Sequence, residues 1–530
     1  MSYIFMKFLE RKPEGYDAGL RRISGQDWGA IRARIIAEIK PGEKVLELGC
    51  GPGTLAIELD QKGAQVTALD RSRELLIFAR GQAMEAGAAI GFRHLDLERL
   101  NELEGQWDWV IASLTFSELR PMVRKAVLIR ARKLLRERGR ILVVDEVVPE
   151  NFLRKIRYHL VRSFLGLVTY FRTRKSTAPL EGFNQDLAGA GYQVLREEEL
   201  SSGGLKLWIA QILPEAPLPE PGELKAGWGS GDWLDSFFLW LTSHLLKIPF
   251  LPGLYRIGNP GAESPLLTTA NYRLTVNLVR KYLKGFNVWL LVNDTRGVNV
   301  WCSAGERNFS ASEIAITLAA SQADRLIQRR ELILPKLCLN GVRLGEVKAR
   351  SGFVARIGPV YAKDLPAYLS AGGELGAGMD RIRFNFQNRL WFGVPFAVFM
   401  SLITGVLALA LPWLIRKDLP LWFGMTSLLI AATYTWLPTR RHLVKGLVLG
   451  AGMALAVALY QFSHQAVGWD LARNSILLIA LGLFVTADFS GVTPVSNRTL
   501  VEKEFKAIYL TLIGLLLVYF VFPKIVEVFK

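Results

Sequence analysis

Five apolar runs crowd the last quarter of the chain, over residues 391–414, 421–437, 443–462, 475–492 and 507–522. Each is about as long as the 17–25 residues that cross a ~30 Å hydrocarbon core, the last being marginally short. No other feature restricts the fold as strongly, because backbone inside lipid must satisfy its own hydrogen bonds. Runs joined by loops this short read as membrane spans rather than as buried helices of a soluble domain. Basic residues set the orientation. With the N-terminus inside, inner segments hold Arg381, Arg383, Arg389, Arg440, Arg441, Lys445, Arg498, Lys503 and Lys506. Outer segments hold Arg416, Lys417, Arg473, Lys524 and Lys530. The excess predicts a multi-pass protein of the cell inner (cytoplasmic) membrane, with its soluble part in the cytoplasm. Few ionisable groups fall in the spans, with Asp488 at one end, so they read as an anchor or a conduit for a neutral species rather than an ion pathway.

The remaining residues must build soluble domains, and 21% charged residues beside 50% hydrophobic ones fit that division. Alternating helix and strand patterns fill residues 1–213, from about residue 27 onward. "PEAPLPEPGE" (214–223) is a Pro-rich, semi-rigid linker, and a second alternating region covers 224–380 before the membrane domain at 381–530. The expected fold class is an α/β Rossmann-like domain, a second α/β domain and an all-α transmembrane domain of five helices. A net charge of +17 admits nucleic acid, an anionic membrane surface or a phosphate-bearing ligand. With neither zinc-finger spacing nor a basic tract of the nucleic-acid kind, a nucleic-acid partner is not expected. Cys50, Cys302 and Cys338 make no disulfide framework, Cys₄ metal site or iron–sulfur cluster, and they point to a reducing compartment. The opening "MSYIFMKFLERK" lacks a small-residue cleavage site, which argues against a signal peptide.

"KVLELGCGPGTLAIEL" (44–59) reads as a buried strand, a glycine-rich turn and a helix. Such a turn lets backbone approach a ligand at the carboxyl end of a strand. A dinucleotide fingerprint does not fit, because Gly53 is followed by Thr54-Leu55-Ala56. The string instead resembles the first motif of class I S-adenosylmethionine (SAM) methyltransferases, with Glu47 just before Gly49-Cys50-Gly51 and then Gly53. That resemblance implies cofactor contacts from Glu47, Gly49, Gly51 and Gly53. It also implies that Asp70, ending "QVTALD", binds the ribose hydroxyls, and that Asp96, in "FRHLDLERL", binds the adenine amino group. "WDWVIASLTFSEL" and "ARKLLRERGRILVVDEV" extend the match over most of residues 27–213. Cys50 reads as a small filler in the turn. Residues 151–175 hold seven Lys or Arg and no acid. They admit three readings: a helix on an anionic membrane surface, a lid over the acceptor site, or a solvated helical insertion.

"GVNVWCSAGERNF" (297–309) places Cys302 in a strand-to-helix loop, after "NVWLLVN" and before a capping-box sequence, "SASE" (310–313), that predicts a helix of about eighteen residues. A thiol there is either a small hydrophobe packed away or a ligand. Asn299, three residues earlier, shares its face if the stretch is helical, and its amide can then hydrogen-bond the sulfur. The surrounding text resembles the corrinoid-binding domain shared by the membrane corrinoid protein of mercury methylation and the large subunit of the corrinoid iron–sulfur protein. The first of these carries N-V/I-W-C-A-A/G-G-K, where this chain reads Asn299-Val300-Trp301-Cys302-Ser303-Ala304-Gly305-Glu306. "PGLYRIGNPGAESPLLTTANY", "LILPKL", "GVRLGEVKARSGF" and "GPVYAKDLPAYL" carry the likeness to about residue 370, and the five spans match the membrane family too.

The resemblance implies a cobalamin-type corrinoid with Cys302 as the lower axial ligand of cobalt. Cys302 is then the catalytic and metal-binding residue, while Asn299 tunes its sulfur and Trp301 packs either on the macrocycle or in the core. A soft thiolate suits a polarisable metal and favours passing the methyl of Co(III)–CH₃ to an acceptor such as Hg(II). The family further implies anaerobic methyl transfer with a ferredoxin-like partner carrying two 4Fe–4S clusters as electron donor. In this fusion, SAM could charge or reactivate the corrinoid, replacing or supplementing a methyltetrahydrofolate donor. Glu306 departs from the family lysine, with Arg307 beside it, and this bears on mercury as the acceptor. Two rivals remain open: SAM-dependent methylation of a lipid or quinone, and a non-catalytic membrane corrinoid carrier.

Overall fold

The computed structural model describes residue 14, residues 28–149, 151–152, 155–156, 158–159, 179–200, 204–412, 416–437, 439, 441–463, 469–490 and 498–528. The opening apolar patch and most of the basic segment 151–175 lie outside the described residues.

The first unit runs α1 (Trp28–Ala37), β1 (Lys44–Leu48), α2 (Thr54–Gln61), β2 (Gln65–Asp70), α3 (Arg73–Glu85), β3 (Gly91–His94), β4 (Trp107–Ser113), α4 (Pro121–Leu134), β5 (Leu135–Glu146), α5 (Phe183–Gly189), β6 (Tyr192–Leu200) and β7 (Leu205–Ile212). Its sheet has the order β3-β2-β1-β4-β5-β7-β6, with β1 to β5 parallel and β7 antiparallel to both neighbours. Strands covered on both faces read as unbroken apolar runs. "WVIA" is such a run and "VLEL" departs from one only at Glu47, with Leu46 and Val110 on one face and Val45 and Trp109 on the other.

The second unit holds β8 (Gly222–Glu223), α6 (Ser230–Leu241), β9 (Gly253–Ile257), β10 (Leu266–Ala270), α7 (Arg273–Lys281), β11 (Val288–Asn293), α8 (Val300–Gly305), α9 (Ala311–Ala320), α10 (Ala323–Leu326), β12 (Glu331–Leu334), α11 (Leu344–Ser351), β13 (Val354–Ile357) and α12 (Leu365–Ser370). Its sheet order is β13-β12-β10-β11-β9-β8. The single long helix expected after residue 310 is instead α9 and α10, broken where Gln322 takes a left-handed backbone (φ 45°). That side chain donates to the Gly189 carbonyl of the first unit, a tertiary contact that local sequence does not signal. The Pro-rich linker is pinned rather than free. Arg132 donates to the Leu213 carbonyl, Arg325 donates to those of Ala216 and Pro217, and Gly222–Glu223 already belong to the second sheet.

Five helices close the chain: α13 (Phe386–Ala410), α14 (Leu419–Thr433), α15 (His442–Ser463), α16 (Trp469–Ser490) and α17 (Arg498–Val528). Among the described residues, four are long and apolar enough to cross a membrane, and α14 is the exception. At 15 residues it is about 22 Å long, short of a full span. Its terminal carbonyls are captured by side chains: Arg389 donates to those of Ala431 (2.8 Å) and Ala432 (3.1 Å), and Lys445 to that of Tyr434. A helix end at membrane depth is tolerated when protein groups satisfy it in this way. Helices α15 and α16 touch backbone to backbone. A Cβ on Gly482 would sit 2.5 Å from the Gly446 carbonyl oxygen, and one on Gly450 would sit 2.5 Å from Cα of Ile479. Small residues permit this approach, and dispersion across it holds membrane helices together. Gly482→Val should therefore cost at least the ~1–3 kcal/mol of an overpacked core. A lower unfolding temperature of the detergent-solubilised protein checks this, with Gly452→Val, whose Cβ would meet open space, as the control.

Candidate functional site

Two sites form at the carboxyl edges of the parallel strands in the two mixed sheets. In the first, Gly49 (φ 73°), Gly51 (φ 55°) and Gly53 (φ 83°) turn the chain from β1 into α2 through left-handed conformations. At Gly49 a Cβ would also lie 2.6 Å from Oγ1 of Thr115, whose hydroxyl donates to the Leu48 carbonyl. That bond ties the loop after β4 to the end of β1. Asp70 braces the turn: its Oδ2 accepts from the Gly51 amide (2.9 Å) and its Oδ1 from the Ser72 amide (2.7 Å). Asp96 is exposed and caps the short 3-10 helix Leu97–Glu102 by accepting from the Glu98 amide. Cys50 is buried, as a filler should be, and burial pushes its thiol up.

Glu47 is buried inside β1, and its Oε2 has no hydrogen-bond partner among the described residues. Burial, with Asp70 and Glu58 nearby, raises its carboxyl to about 8. An orphaned acid in the strand that leads into a glycine-lined turn is what a cationic ligand group would complete, since leaving it unpaired is costly.

The second site follows β11. Asn271 Oδ1 accepts from the Thr295 amide and the Gly297 amide, each at 2.9 Å, folding the loop back on β10. Gly297 (φ 73°) lies against the backbone of Lys247 and Pro249, leaving no room for a side chain. Asn299 caps α8, its Oδ1 accepting from the Cys302 amide at 2.9 Å. Cys302 is exposed while Cys50 and Cys338 are buried, which decides between the two readings of this thiol: it is not packed away. Trp301 is half-buried and outside the core clusters, so the core reading of it is not met. Cys338 is buried, in a one-turn helix (Lys336–Cys338). The mouth of Cys302 is crowded with protein, so burial raises its thiol. A hydrogen bond from Asn299 lowers it, the Glu306 charge raises it and that of Lys247 lowers it. Glu306 and Arg307 are both exposed.

Arg120 joins these sites. It follows the loop after β4, and its guanidinium bonds Asp294 (2.9 Å), just past β11, and Glu313 (2.6 Å), in the first turn of α9. Glu98 stands 4.0 Å away. Beneath this cluster α4 packs on α9, and Ile316 is buried in the core of the first unit. The "SASE" acid that reads as a capping-box partner is thus turned to a neighbouring domain. Ser310 alone makes the cap, accepting from the Glu313 amide. Arg120 and Asp294 carry no local signal.

A family profile described as "Methyltransferase domain" matches residues 45–139. An uncharacterized methyltransferase of Synechocystis sp. is 30% identical over 173 residues, covering 32% of this chain and 76% of that protein. The chain belongs to the methyltransferases. Its methyltransferase unit is also 40% identical over 70 residues to the ubiquinone biosynthesis O-methyltransferase of Pseudomonas aeruginosa, 13% of this chain and 30% of that enzyme. In the second unit, residues 248–358 match a profile described as "CO dehydrogenase/acetyl-CoA synthase delta subunit". The acetyl-CoA decarbonylase/synthase complex subunit gamma of Methanopyrus kandleri is 32% identical over 126 residues, 23% of this chain and 27% of the subunit. The methyltransferase chain thus spans about a quarter of that relative's length.

Two outcomes follow for this methyltransferase. Glu47, at about 8, holds its proton at pH 7, and the ammonium of SAM would favour its ionised form. SAM binding at pH 7 should release up to about one proton, and Glu47→Gln should abolish the release. Calorimetry in buffers of different ionisation enthalpy reads this directly. At the second site, Glu306→Lys replaces a charge that raises the Cys302 thiol with one that lowers it. The pH profile of Cys302 alkylation should therefore shift to lower pH.

Proposed function

We propose that this chain is a membrane-anchored, corrinoid-dependent methyltransferase of the mercury-methylation type, with its SAM domain serving the corrinoid. The exposed Cys302 thiol, held at the carboxyl end of β11, is the observation that carries this reading. Among the described residues there is no group of three or more His, Cys, Asp or Glu side chains able to hold a metal ion. A metal bound through this one thiol must bring its other donors with it, and a corrinoid does so. When bound, that group supplies a cobalt centre able to accept and release a methyl group.

The chain's own residues do the rest. Cys302 would hold the group through its thiolate, and Asn299, which accepts from the Cys302 amide, holds that residue in one orientation. Glu47, Gly49, Gly51, Gly53, Asp70 and Asp96 form the SAM pocket at the opposite sheet edge, and Trp301 flanks the thiol. Arg120 fixes the two edges relative to one another, which supports a donor at the first site and its acceptor at the second. Hg(II) is the proposed final acceptor and a ferredoxin-like protein with two 4Fe–4S clusters the electron donor. The soluble domains face the cytoplasm.

A second reading, SAM-dependent methylation of a lipid or quinone, is favoured by one cavity. About 290 Å³ opens beside the end of β5, lined by Val147, Phe183, Lys206 and Trp208 among others. The indole N–H of Trp208 is buried there with no partner among the described residues.

The test is anaerobic purification with corrinoid, comparing wild type with Cys302→Ala by visible spectroscopy before adding SAM and then Hg(II). The mutant should lose the spectrum of a thiolate-ligated, base-off corrinoid. An unchanged spectrum overturns the reading, and label from SAM appearing in membrane lipid favours the second one.

A further inference from the structure

Helix α6 carries "SGDWLDSFFLWL", and the two faces of this helix are opposite in character. Ser236 and Leu239 are buried against the second unit. Its two charged residues turn the same way. Asp232 pairs with Arg280, and Asp235 pairs with Arg273 (3.1 Å) and accepts from Asn277 (2.9 Å), all three partners being on α7. The outward face is left without charge. It consists of Trp233 (60% exposed), Leu234 (71%), Phe237 (47%) and Phe238 (50%), at the one-face spacing of a helix. Leu245, Leu246 and Leu251 continue it beyond the helix end. An apolar patch of this extent in water requires a partner.

The partner is indicated by what the helix touches. The indole N–H of Trp240 donates to the Trp391 carbonyl (2.8 Å), and the two rings lie 5.1 Å apart. His244 packs on Phe396 and Phe399, with ring centroids at 5.5 and 6.1 Å. Trp391, Phe396 and Phe399 all belong to α13, the first span. Contacts from residue 391 to residue 399 follow about 12 Å of a membrane-crossing helix. The exposed Trp391 and Phe392 at its start are continuous with the α6 face, and tryptophans gather at this level of a bilayer.

We propose that α6 lies in the cytoplasmic membrane interface, its Trp233–Leu234–Phe237–Phe238 face sunk into the boundary between headgroups and acyl chains. The occupant of the patch is the bilayer itself. The helix leads directly to Lys247–Pro249, the backbone that backs Gly297 in the cysteine loop, and the Phe250 amide donates to the Asn271 carbonyl. The Cys302 loop is thereby held at the membrane surface rather than suspended on a flexible stalk. This inference rests on the spans and does not depend on what Cys302 binds.

The experiment uses the full chain in nanodiscs of phosphatidylethanolamine and phosphatidylglycerol. A nitroxide is placed at Phe237→Cys or at Leu234→Cys, in a Cys302→Ala background that leaves only buried thiols. A label at Glu223→Cys, an exposed position on β8, is the aqueous control. Power saturation compares collisions with oxygen, which concentrates in lipid, and with a nickel chelate, which stays in water. At 237 and 234 the ratio of oxygen to nickel collisions should exceed that at 223 several-fold. A ratio equal to the control means that the face is open to water, and exclusion of both reagents means that protein covers it. Either result overturns the proposal.

Discussion

A guanidinium enclosed by carboxylates, Arg120 among Asp294, Glu313 and the more distant Glu98, holds the carboxyl edges of two sheets against each other. Charges taken from water are costly unless paired with good geometry, and removing one partner of such a set typically costs about 3–5 kcal/mol. The local balance is uneven, with more acid than base. Burial raises the Glu313 carboxyl to about 7 even though Arg120 pulls it down and Asp294 and Glu98 push it up. Around this cluster the interface is conventional: α4 against α9, Ile316 in the neighbouring core, and Gln322 and Arg325 on backbone carbonyls. The charged cluster sets the register, and the apolar contact beneath it supplies the bulk of the burial.

The two sites joined there share a design in their electrostatics. Each presents an acid that burial keeps protonated: Glu47 at about 8, and Cys302 raised by its crowded mouth. An acid held neutral by desolvation becomes a strong partner for a cation or metal that displaces its proton. Both are rigidly placed, Glu47 inside β1 and Cys302 by the Asn299 cap and the Asn271 bonds that shape its loop. Glu306 acts against thiolate formation. The charge reversal at that position is therefore a change in the chemistry of the sulfur as well as in the surface beside it.

The membrane half carries the same logic of satisfied polar groups. A helix too short to span persists because Arg389 and Lys445 take its carbonyls, and the glycine contacts of α15 with α16 remove the gap that larger side chains would leave. The apolar face of α6 extends this region sideways from α13, and under the proposed seating of that face the soluble domains meet the membrane along a surface rather than at a point.

Much of this was legible in local pattern. The apolar strands, the Gly49–Gly53 turn with Glu47 and Asp70 around it, the Ser310 cap and the apolar runs are all short-range signals, while Cys302, expected in a loop after β11, lies in the first turn of the short helix α8. Side-chain period, φ preference and capping chemistry depend on neighbours a few residues apart. What failed were features set at long range. The helix after Ser310 stops early because Gln322 reaches the other domain, Glu313 leaves its expected cap for Arg120, and α14 falls short because Arg389 and Lys445 end it from neighbouring helices. The sequence by itself determined which segments are strands and turns and which are apolar enough to be spans, and it singled out the residues proposed to carry chemistry. Tertiary structure alone decided that the two carboxyl edges meet, through ion pairs of Arg120 with residues more than a hundred positions away, and that the cysteine is exposed, on a loop shaped by Asn271 and by the backbone of Lys247 and Pro249.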